Sequence, residues 1–360
     1  MMTASVSKRK VHLDIFRFIA MFLVMYGHTG NKAMNHYHIE GDSFSYFFCI
    51  AVHVITIASP SMFFFISGGL LLGREESIKD VLKKRILKYA IVLVSFKILQ
   101  LVYVLLTNPD IAGNIAYQTE PVKTFLGVIY TKDVVAQYWF LSYYMAFLLI
   151  LPILRVLAQN MQNKHFMYLL ILYLIVDVVL AIFEFFIGFE RIDLQFPLFH
   201  QIIIKPLAGY FFITRLGDKV TEKKFLLGLN IAGLVFYIFN IYYSHQIILR
   251  TGELNSLEGL MLVTTIVVYC DVKFISDKLK LGEKKFAAFI SFCAAAGIVT
   301  YLLDPQLHKI TEFVYDKTYM YIKWFPAGIL WTVCALSIGI PFAWVLRQIP
   351  YVGRLFGGKR

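Results

Sequence analysis

Charged residues are scarce in this chain of 360 residues. Only 16% of the residues are Asp, Glu, Lys or Arg, whereas 59% are hydrophobic and the mean hydropathy is +0.67. Soluble domains are typically about half apolar and about a quarter charged. With 33 Phe and 22 Tyr residues, the chain has too little polar surface to face water on all sides. The composition excludes an ordinary soluble domain and indicates a polytopic membrane protein.

Cysteine is also scarce, and the spacing of the cysteines matches no recognisable disulfide or metal-binding pattern. The four cysteines fall inside apolar stretches at unrelated spacings, which match neither a disulfide framework nor a metal site. We therefore expect no metal cofactor. The first apolar stretch is long, contains Arg17 and has no clear small-residue cleavage site, so we expect no cleavable signal peptide.

The formal net charge of +12 raises the question of a nucleic-acid partner. Such a partner requires basic residues clustered on a solvated domain. Here the basic residues lie in short runs between apolar segments, which is the pattern of membrane topology. We therefore expect no nucleic-acid partner.

Long apolar runs are abundant. A membrane-spanning helix needs about 20 mainly apolar residues, and we predict ten of them. They cover roughly residues 12–30, 44–72, 86–107, 137–158, 165–188, 197–215, 225–244, 256–273, 286–303 and 324–346. Ser59-Pro60 predicts a kink or break in the second run, and Lys205-Pro206 interrupts the sixth. The expected fold is an all-α polytopic membrane protein of one domain over residues 1–360, with no appended soluble domain.

The distribution of basic residues orients these spans. With the N-terminus inside, the inner segments carry 24 Lys and Arg residues and the outer segments carry eight. Cytoplasmic loops are enriched in Lys and Arg, so the asymmetry predicts that both termini are cytoplasmic.

The first span carries polar residues in the segment "DIFRFIAMFLVMYGHTG". Arg17 and His28 are eleven residues apart, close to three helical turns, so they share a face and are separated by roughly 16 Å along the axis. Asp14 lies three residues before Arg17 and shares that face. Taken singly, His28 could be a hydrogen-bonded neutral imidazole, and Arg17 could extend to the interface. Their alignment favours the lining of a polar cavity, because charge inside a membrane is costly.

A second basic pair lies at the start of the third span. Arg85 and Lys88, in "KKRILKYA", are three residues apart and are expected on one face at the cytoplasmic mouth, where two cations suit phosphate groups. The alternative is ordinary anchoring by the positive-inside rule, which the spacing alone favours.

Four more ionisable residues fall within predicted spans. For these residues we expect buried ion pairs between helices, with a proton or ion pathway as the alternative; they are Lys97, Asp177, Glu184 and Lys205. Two further segments say little alone: "FFFISGGLLLG" places Ser67 before two glycines, and "QYWFLSYY" places Trp139 at the outer start of the fourth span.

Taken in order, these segments resemble the acyltransferase-3 family of integral membrane acyltransferases. The resemblance lies in "LDIFRFIAMFLVMYGH", "FFFISGGLLL", "KKRILKYA" and "YWFLSYYMAFLLILPIL", and continues weakly in "FISFCAAAGIVTYLLDP" and "PYVGRLFGG". Two positions depart from the family pattern. Its basic pair is typically Arg-x-x-Arg, whereas Lys88 here lacks the planar fork of arginine. Its late histidine is Asp304 here, so a role for that histidine does not carry over.

The resemblance implies transfer of an acyl group, usually acetyl, from cytoplasmic acyl-CoA to a hydroxyl of a cell-envelope or exported glycan, in the bacterial cytoplasmic membrane. Arg17 and His28 fall on the essential pair of the family, and Arg85 and Lys88 on its basic pair. The implied partners are acyl-CoA as donor substrate, a glycan or lipid-linked sugar and membrane lipid, and a homo-oligomer is left open.

This resemblance suggests a role for each polar residue. His28 would act as base or acyl relay, and Arg17, oriented by Asp14, would stabilise negative charge or hold acyl-CoA. Arg85 and Lys88 would bind CoA phosphates, with Ser67 and Trp139 also contacting substrate. The alternative function is a secondary transporter or flippase, which intramembrane charges and a broken second helix would also serve. Against it, the two halves of the chain show no matching interrupted segments.

Overall fold

The computed structural model describes residues 10–38, 43–107, 120, 122–123, 126–127, 138–187, 201–283, 285–350 and 352–356. Within these residues the fold contains helices and no strand, in agreement with the predicted all-α class. The extreme ends of the chain lie outside the described residues, so the cytoplasmic placement of both termini stays a prediction.

Sixteen α-helices are numbered here in chain order over the described part. They are α1 Val11–Gly27, α2 Gly30–Ala33, α3 Ser43–Thr56, α4 Ser59–Leu71, α5 Ile78–Val81, α6 Leu87–Thr107, α7 Trp139–Asn160, α8 Asn163–Tyr173, α9 Ala181–Ile187, α10 Gln201–Tyr210, α11 Lys223–Thr251, α12 Leu260–Lys278, α13 Lys285–Leu302, α14 Asp304–Ile322, α15 Trp324–Gln348 and α16 Val352–Leu355. Three π-helical segments continue α5, α8 and α10, namely Leu82–Ile86, Leu174–Leu180 and Phe211–Leu216.

Seven helical segments of the described chain are long and apolar enough to cross a membrane. They are Ser43–Leu71, Ile78–Thr107, Trp139–Asn160, Asn163–Ile187, Lys223–Thr251, Lys285–Leu302 and Trp324–Gln348, and each coincides with a predicted span. The other three predicted spans fall on α1, α10 and α12, which are shorter or carry more charge. The count of ten therefore stays a prediction.

Several helices are interrupted where polar residues occur. α3 ends at Thr56 and α4 begins at Ser59, which confirms the predicted break at Ser59-Pro60. α1 ends at Gly27 with His28 as its C-terminal cap, and α14 begins at Asp304 directly after α13 ends. A proline in the first turn of a helix costs no hydrogen bond, so Pro305 favours a new helix start at this point.

An aromatic core fixes α1 against α4 and α12. Phe16 is fully buried, and its ring lies 6.1 Å from that of Phe65 and 5.6 Å from that of Tyr269. Because Phe16 faces this core, the next residue, Arg17, points to a different side of the helix. Packing thus determines which face of α1 is left for the cavity.

α4 and α10 approach each other so closely that their backbones are in contact. A Cβ atom on Gly68 would lie 1.9 Å from the carbonyl oxygen of Pro206, and one on Gly209 would lie 1.8 Å from that of Phe65. Glycines allow such close approach, as small residues do between membrane helices. The two helices are therefore held tightly together along one wall of the cavity.

Candidate active site

A cavity of about 970 Å³ runs between α1, α4, α7, α10 and α13. Five of the seven predicted site residues line it: Arg17, His28, Ser67, Arg85 and Trp139. Asp14 and Lys88 lie outside its lining. The helical spacing that placed Arg17 and His28 on one face of α1 therefore corresponds to a shared cavity wall.

Arg17 is held by a chain of polar contacts behind the cavity wall. Its Nη1 atom donates to Oδ1 of Asp14 at 3.1 Å, and Oδ2 of Asp14 accepts from the Oγ of Ser291 at 2.6 Å. Asp14 is only 3% exposed, so it acts on the cavity through the guanidinium rather than directly. This contact orients Arg17, in the manner expected from the three-residue spacing.

His28 is joined to a buried carboxylate from a distant part of the chain. Its Nδ1 atom contacts Oδ2 of Asp304, which is fully buried. The other carboxylate oxygen, Oδ1, lies 2.6 Å from Nδ1 of His308 on the next turn of α14. Asp304 therefore bridges two imidazoles, one on the cavity wall and one behind it.

His308 is enclosed by aromatic packing. Its ring lies 5.1 Å from the ring of Trp331 in an edge-on arrangement, and Nε1 of Trp331 donates to its backbone oxygen at 3.1 Å. Within the described residues its Nε2 has no hydrogen-bond partner. The second imidazole is thus fixed in place and turned away from the cavity.

The pairing of His28 with Asp304 determines what the imidazole can do. A carboxylate at Nδ1 favours the tautomer with its proton on that nitrogen, which leaves Nε2 with a lone pair. An imidazole in this state accepts a proton at Nε2, and the carboxylate stabilises the resulting cation. The geometry is that of a general base beside a cavity large enough for substrates.

The end of the cavity opposite His28 carries arginine side chains, and Arg85 there is paired with the carboxylate of Glu76. Nε of Arg85 donates to Oε2 of Glu76 at 2.7 Å, its Nη2 donates to Oε1, and Nη2 of Arg155 donates to Oε2 at 2.9 Å. These contacts, led by that with Arg85, lower the pKa of Glu76 to about 2. The predicted cation is present at the mouth, and a carboxylate fixes its orientation.

Lys88 does not line the cavity, whereas Arg85 does, so only one member of the predicted basic pair lies on the cavity wall. Arg85 belongs to the π-helical turn Leu82–Ile86, and a π-helix has more residues per turn than an α-helix. A three-residue spacing therefore no longer aligns the two side chains. The cavity mouth is lined by Arg74 together with Arg85.

Ser67 and Trp139 lie on the cavity wall beside other aromatic side chains. The Oγ of Ser67 donates to the hydroxyl oxygen of Tyr144 at 3.3 Å, and the ring of Trp139 lies 5.6 Å from that of Tyr143. All four residues line the cavity, so they are available for substrate contact.

Of the second ionisable set, Lys205 has a polar contact other than the one expected for it. Lys205 is buried, and its Nζ donates to Oε1 of Gln201 at 3.3 Å. No carboxylate of the described chain lies within 4 Å of this amine, so the ion pair expected for Lys205 is absent there. Asp177 and Glu184 are half-buried and Lys97 is buried.

A protein-family model described as an acyltransferase domain matches residues 11–348, nearly the whole chain. The chain belongs to the acyltransferase-3 family. Searches of curated proteins and of solved structures gave no match. Family membership together with the apolar helices makes the protein an integral membrane acyltransferase.

Two acidic residues of this acyltransferase were not predicted to belong to the site. In the sequence Asp304 marks only a departure from the family pattern, and no pattern indicates a role for Glu76. An Asp-Pro step after an apolar run, with a histidine four residues later, is the sequence signal that could have identified Asp304 and His308. No local pattern relates Asp304 to His28, because the contact joins distant segments of the chain.

Proposed function

We propose that this acyltransferase moves an acyl group, in the first instance acetyl, from cytoplasmic acyl-CoA to a hydroxyl of a cell-envelope or exported glycan. It would act in the bacterial cytoplasmic membrane with both termini inside. The observation that carries the proposal is the contact of His28 with Asp304 on the wall of a large cavity. Family membership supports acyl transfer, and the imidazole supplies the base that transfer to a hydroxyl requires.

In the proposed reaction, Nε2 of His28 removes the proton of the acceptor hydroxyl as its oxygen attacks the thioester carbonyl. The new C–O ester bond forms, the C–S bond breaks, and the thiolate of CoA takes the proton back from His28. Free CoA thiol and an acylated glycan are the products. Asp304 holds the ring and stabilises the imidazolium between the two proton transfers.

Arg17 is suited to a charge-stabilising role. The carbonyl oxygen of the thioester becomes negative during attack, and a pre-oriented donor stabilises that charge without reorganising. Asp14 and Ser291 fix the guanidinium before substrate arrives. In an alternative use of the same residue, Arg17 holds part of the acyl-CoA.

The basic mouth is suited to the donor. Guanidinium groups bind phosphate oxygens through paired hydrogen bonds, and Arg74 and Arg85 both line this end of the cavity. The pantetheine arm of CoA would then extend along the cavity past Arg17 towards His28. The acceptor would enter from the opposite side.

The test is an assay of the purified protein with acetyl-CoA and a cell-envelope glycan, monitored by free thiol and by ester content of the glycan. We expect thiol release that depends on the acceptor and is lost in His28→Ala. His245→Ala serves as the matched control, since His245 contacts Tyr46 and is not a cavity residue.

Two results would contradict the proposal. Thiol release that is unchanged in His28→Ala would exclude His28 as the general base, whatever acceptor is used. Absence of turnover with every glycan, combined with gradient-driven flux of a polar solute in proteoliposomes, would favour a secondary transporter or flippase instead.

A further inference from the structure

Lys205 is a buried cation on the wall of the cavity. The residue is 7% exposed, its one hydrogen bond goes to the neutral amide of Gln201, and the nearby acidic groups, Glu258 and Asp177, stay beyond 4 Å. A buried ammonium group without a paired anion is costly. Glu258 and Asp177 act on this amine only at longer range, so its surroundings in the described chain leave room for an anion in direct contact with it.

The helix that carries Lys205 is packed tightly against α4. Backbone contacts of Pro206 with Gly68 and of Gly209 with Phe65 fix α10 on α4 directly after this position. Lysines near helix ends can extend to the membrane interface, but this lysine is enclosed by protein. The charge is therefore held at a fixed point of the cavity.

The level of Lys205 along the cavity follows from helix contacts. α10 runs in the same direction as α4, since Gly209 lies against Phe65 and Thr214 donates to the backbone oxygen of Gly69. Counting from the contact of Gly209 with Phe65 places Lys205 level with Ser61, whereas counting from the contact of Pro206 with Gly68 places it level with Ser67. At 1.5 Å per residue the level of Lys205 is therefore roughly 10 to 20 Å from Arg74 along the axis.

The same two contacts place Lys205 between Arg74 and His28 along the cavity. A Cβ atom on Gly27, next to His28, would lie 3.1 Å from the side chain of Thr56. Ser61 and Ser67 are five and eleven residues beyond Thr56, or roughly 8 and 16 Å along the axis. Lys205 therefore lies in the middle of the cavity, between the base and the basic mouth assigned to CoA.

A second polar side chain of this cavity has a ring nitrogen with no partner among the described residues. His53 is 9% exposed and lines the cavity, and its Nδ1 makes no hydrogen bond to any described residue. Buried polar atoms normally have a partner, so an unpaired one on a cavity wall indicates a place for a ligand. Gln201 and Glu258 line the same cavity and can bind hydroxyl groups.

We propose that Lys205 is the specificity-determining residue of an acceptor subsite, and that the acceptor is an acidic glycan whose carboxylate or phosphate binds this amine. The inference rests on the proposed acyl transfer and adds the chemical class of its acceptor. Gln201, His53 and Glu258 would bind hydroxyl groups around the acidic one. The donor phosphates are assigned to Arg74 and Arg85 and leave Lys205 unused.

The test measures binding rather than turnover, with two matched pairs of probes. The first pair is p-nitrophenyl β-D-glucuronide and p-nitrophenyl β-D-glucoside, which differ by a carboxylate at C6. The second pair is glucose 6-phosphate and glucose. Dissociation constants are obtained from thermal-shift titrations of the full-length protein in detergent, for the unmodified chain and for Lys205→Gln, Lys205→Arg and Lys309→Gln.

We expect the acidic member of at least one pair to bind about tenfold more tightly than its neutral partner. One charge-assisted contact accounts for a difference in affinity of about this size. Preference in the first pair indicates a uronic-acid acceptor, and preference in the second indicates a phosphorylated or lipid-phosphate-linked one. Lys205→Gln should remove the preference and Lys205→Arg should retain it. Lys309→Gln, at an exposed lysine outside the cavity, should leave it unchanged.

Equal binding within both pairs, or no binding of any probe, overturns the inference even if Lys205→Gln fails to fold. A preference that persists in Lys205→Gln overturns it as well. Because binding needs no turnover, loss of acyl transfer in the thiol assay would refute the proposed function separately. Efficient acyl transfer to neutral glycans would leave that function standing and refute only the acidic acceptor.

Discussion

His28 and Asp304 lie 276 residues apart in the chain, and their side chains meet where two helices are interrupted. His28 caps the end of α1, and Asp304 is the first residue of α14. The base and its orienting carboxylate therefore come from opposite ends of the sequence. Their contact joins the end of α1 to the start of α14, and it can be tested by changing Asp304, which does not line the cavity.

Asp304→Asn should lower the rate of acyl transfer by at least about 100-fold, since the amide no longer fixes the ring tautomer or stabilises the imidazolium. The KM for acyl-CoA should change little, because Asp304 lies outside the cavity lining. Steady-state thiol release measures both constants. Asp316→Asn, at an exposed acid on the same helix, is the control. A rate within about threefold of the original would mean that Asp304 has only a structural role.

Arg74→Ala should raise the KM for acyl-CoA about tenfold, because one charge-assisted phosphate contact is lost. Arg85→Ala should raise it too. Lys88→Ala should leave KM within about twofold, since Lys88 does not line the cavity. Initial rates over a range of acetyl-CoA concentrations decide this. A larger increase in KM for Lys88→Ala than for Arg74→Ala would support the basic pair predicted from the sequence. It would also exclude Arg74 as a phosphate-binding residue.

Glu76 should make thermal stability depend on acid pH. Its pKa lies at about 2, below the ordinary value of 4.5, chiefly because Arg85 holds it ionised. A lowered folded-state pKa stabilises the fold above the unfolded-state value, and this contribution is lost as pH falls from about 4.5 towards 2. The Tm of the detergent-solubilised protein should therefore fall over this window.

The matched variants for this prediction are Glu76→Gln and Glu75→Gln, since Glu75 is the exposed neighbour. Glu76→Gln should have a lower Tm at pH 6 and a flatter profile between pH 5 and 3. Glu75→Gln should follow the unmodified protein. Identical profiles of Tm against pH for all three proteins would mean that the contacts of Glu76 with Arg85 and Arg155 do not contribute to stability.

Gly68→Ala should destabilise the fold by about 3 kcal/mol, because the new methyl group overlaps the backbone of Pro206 and neither helix can yield easily. A fall in Tm of several degrees is expected. Gly228→Ala on α11 is the control, since its methyl group meets open space and alanine favours the helix. If Gly68→Ala matched this control, the backbone contact between α4 and α10 would not be rigid.

Much of the first helix could be predicted from the sequence. The spacing of Arg17 and His28 follows from helical geometry alone, and the break at Ser59-Pro60 follows from proline chemistry. Both features are local, so a single segment contains the information. Seven of the predicted spans also coincide with helices able to cross a membrane, because length and apolar composition are enough to identify them.

The remaining features depend on contacts that no segment contains. Asp304 becomes a partner of His28 only after the last helices pack against the first. Arg74 reaches the cavity from the turn after α4, and Lys88 is displaced by a π-helical turn that its sequence does not indicate. Lys205 was expected to pair with a carboxylate, yet helix packing places it beside an amide.

The two helix interruptions also have an electrical consequence. The C-terminal end of a helix carries partial negative charge and the N-terminal end partial positive charge. His28 sits at the first kind of terminus and Asp304 at the second, so each side chain meets the end of a helix dipole whose sign is opposite to the charge that the side chain can carry. When His28 gains a proton during the reaction, the helix dipole that stabilises the new positive charge is already oriented. The backbone thus contributes to lowering the activation barrier of acyl transfer.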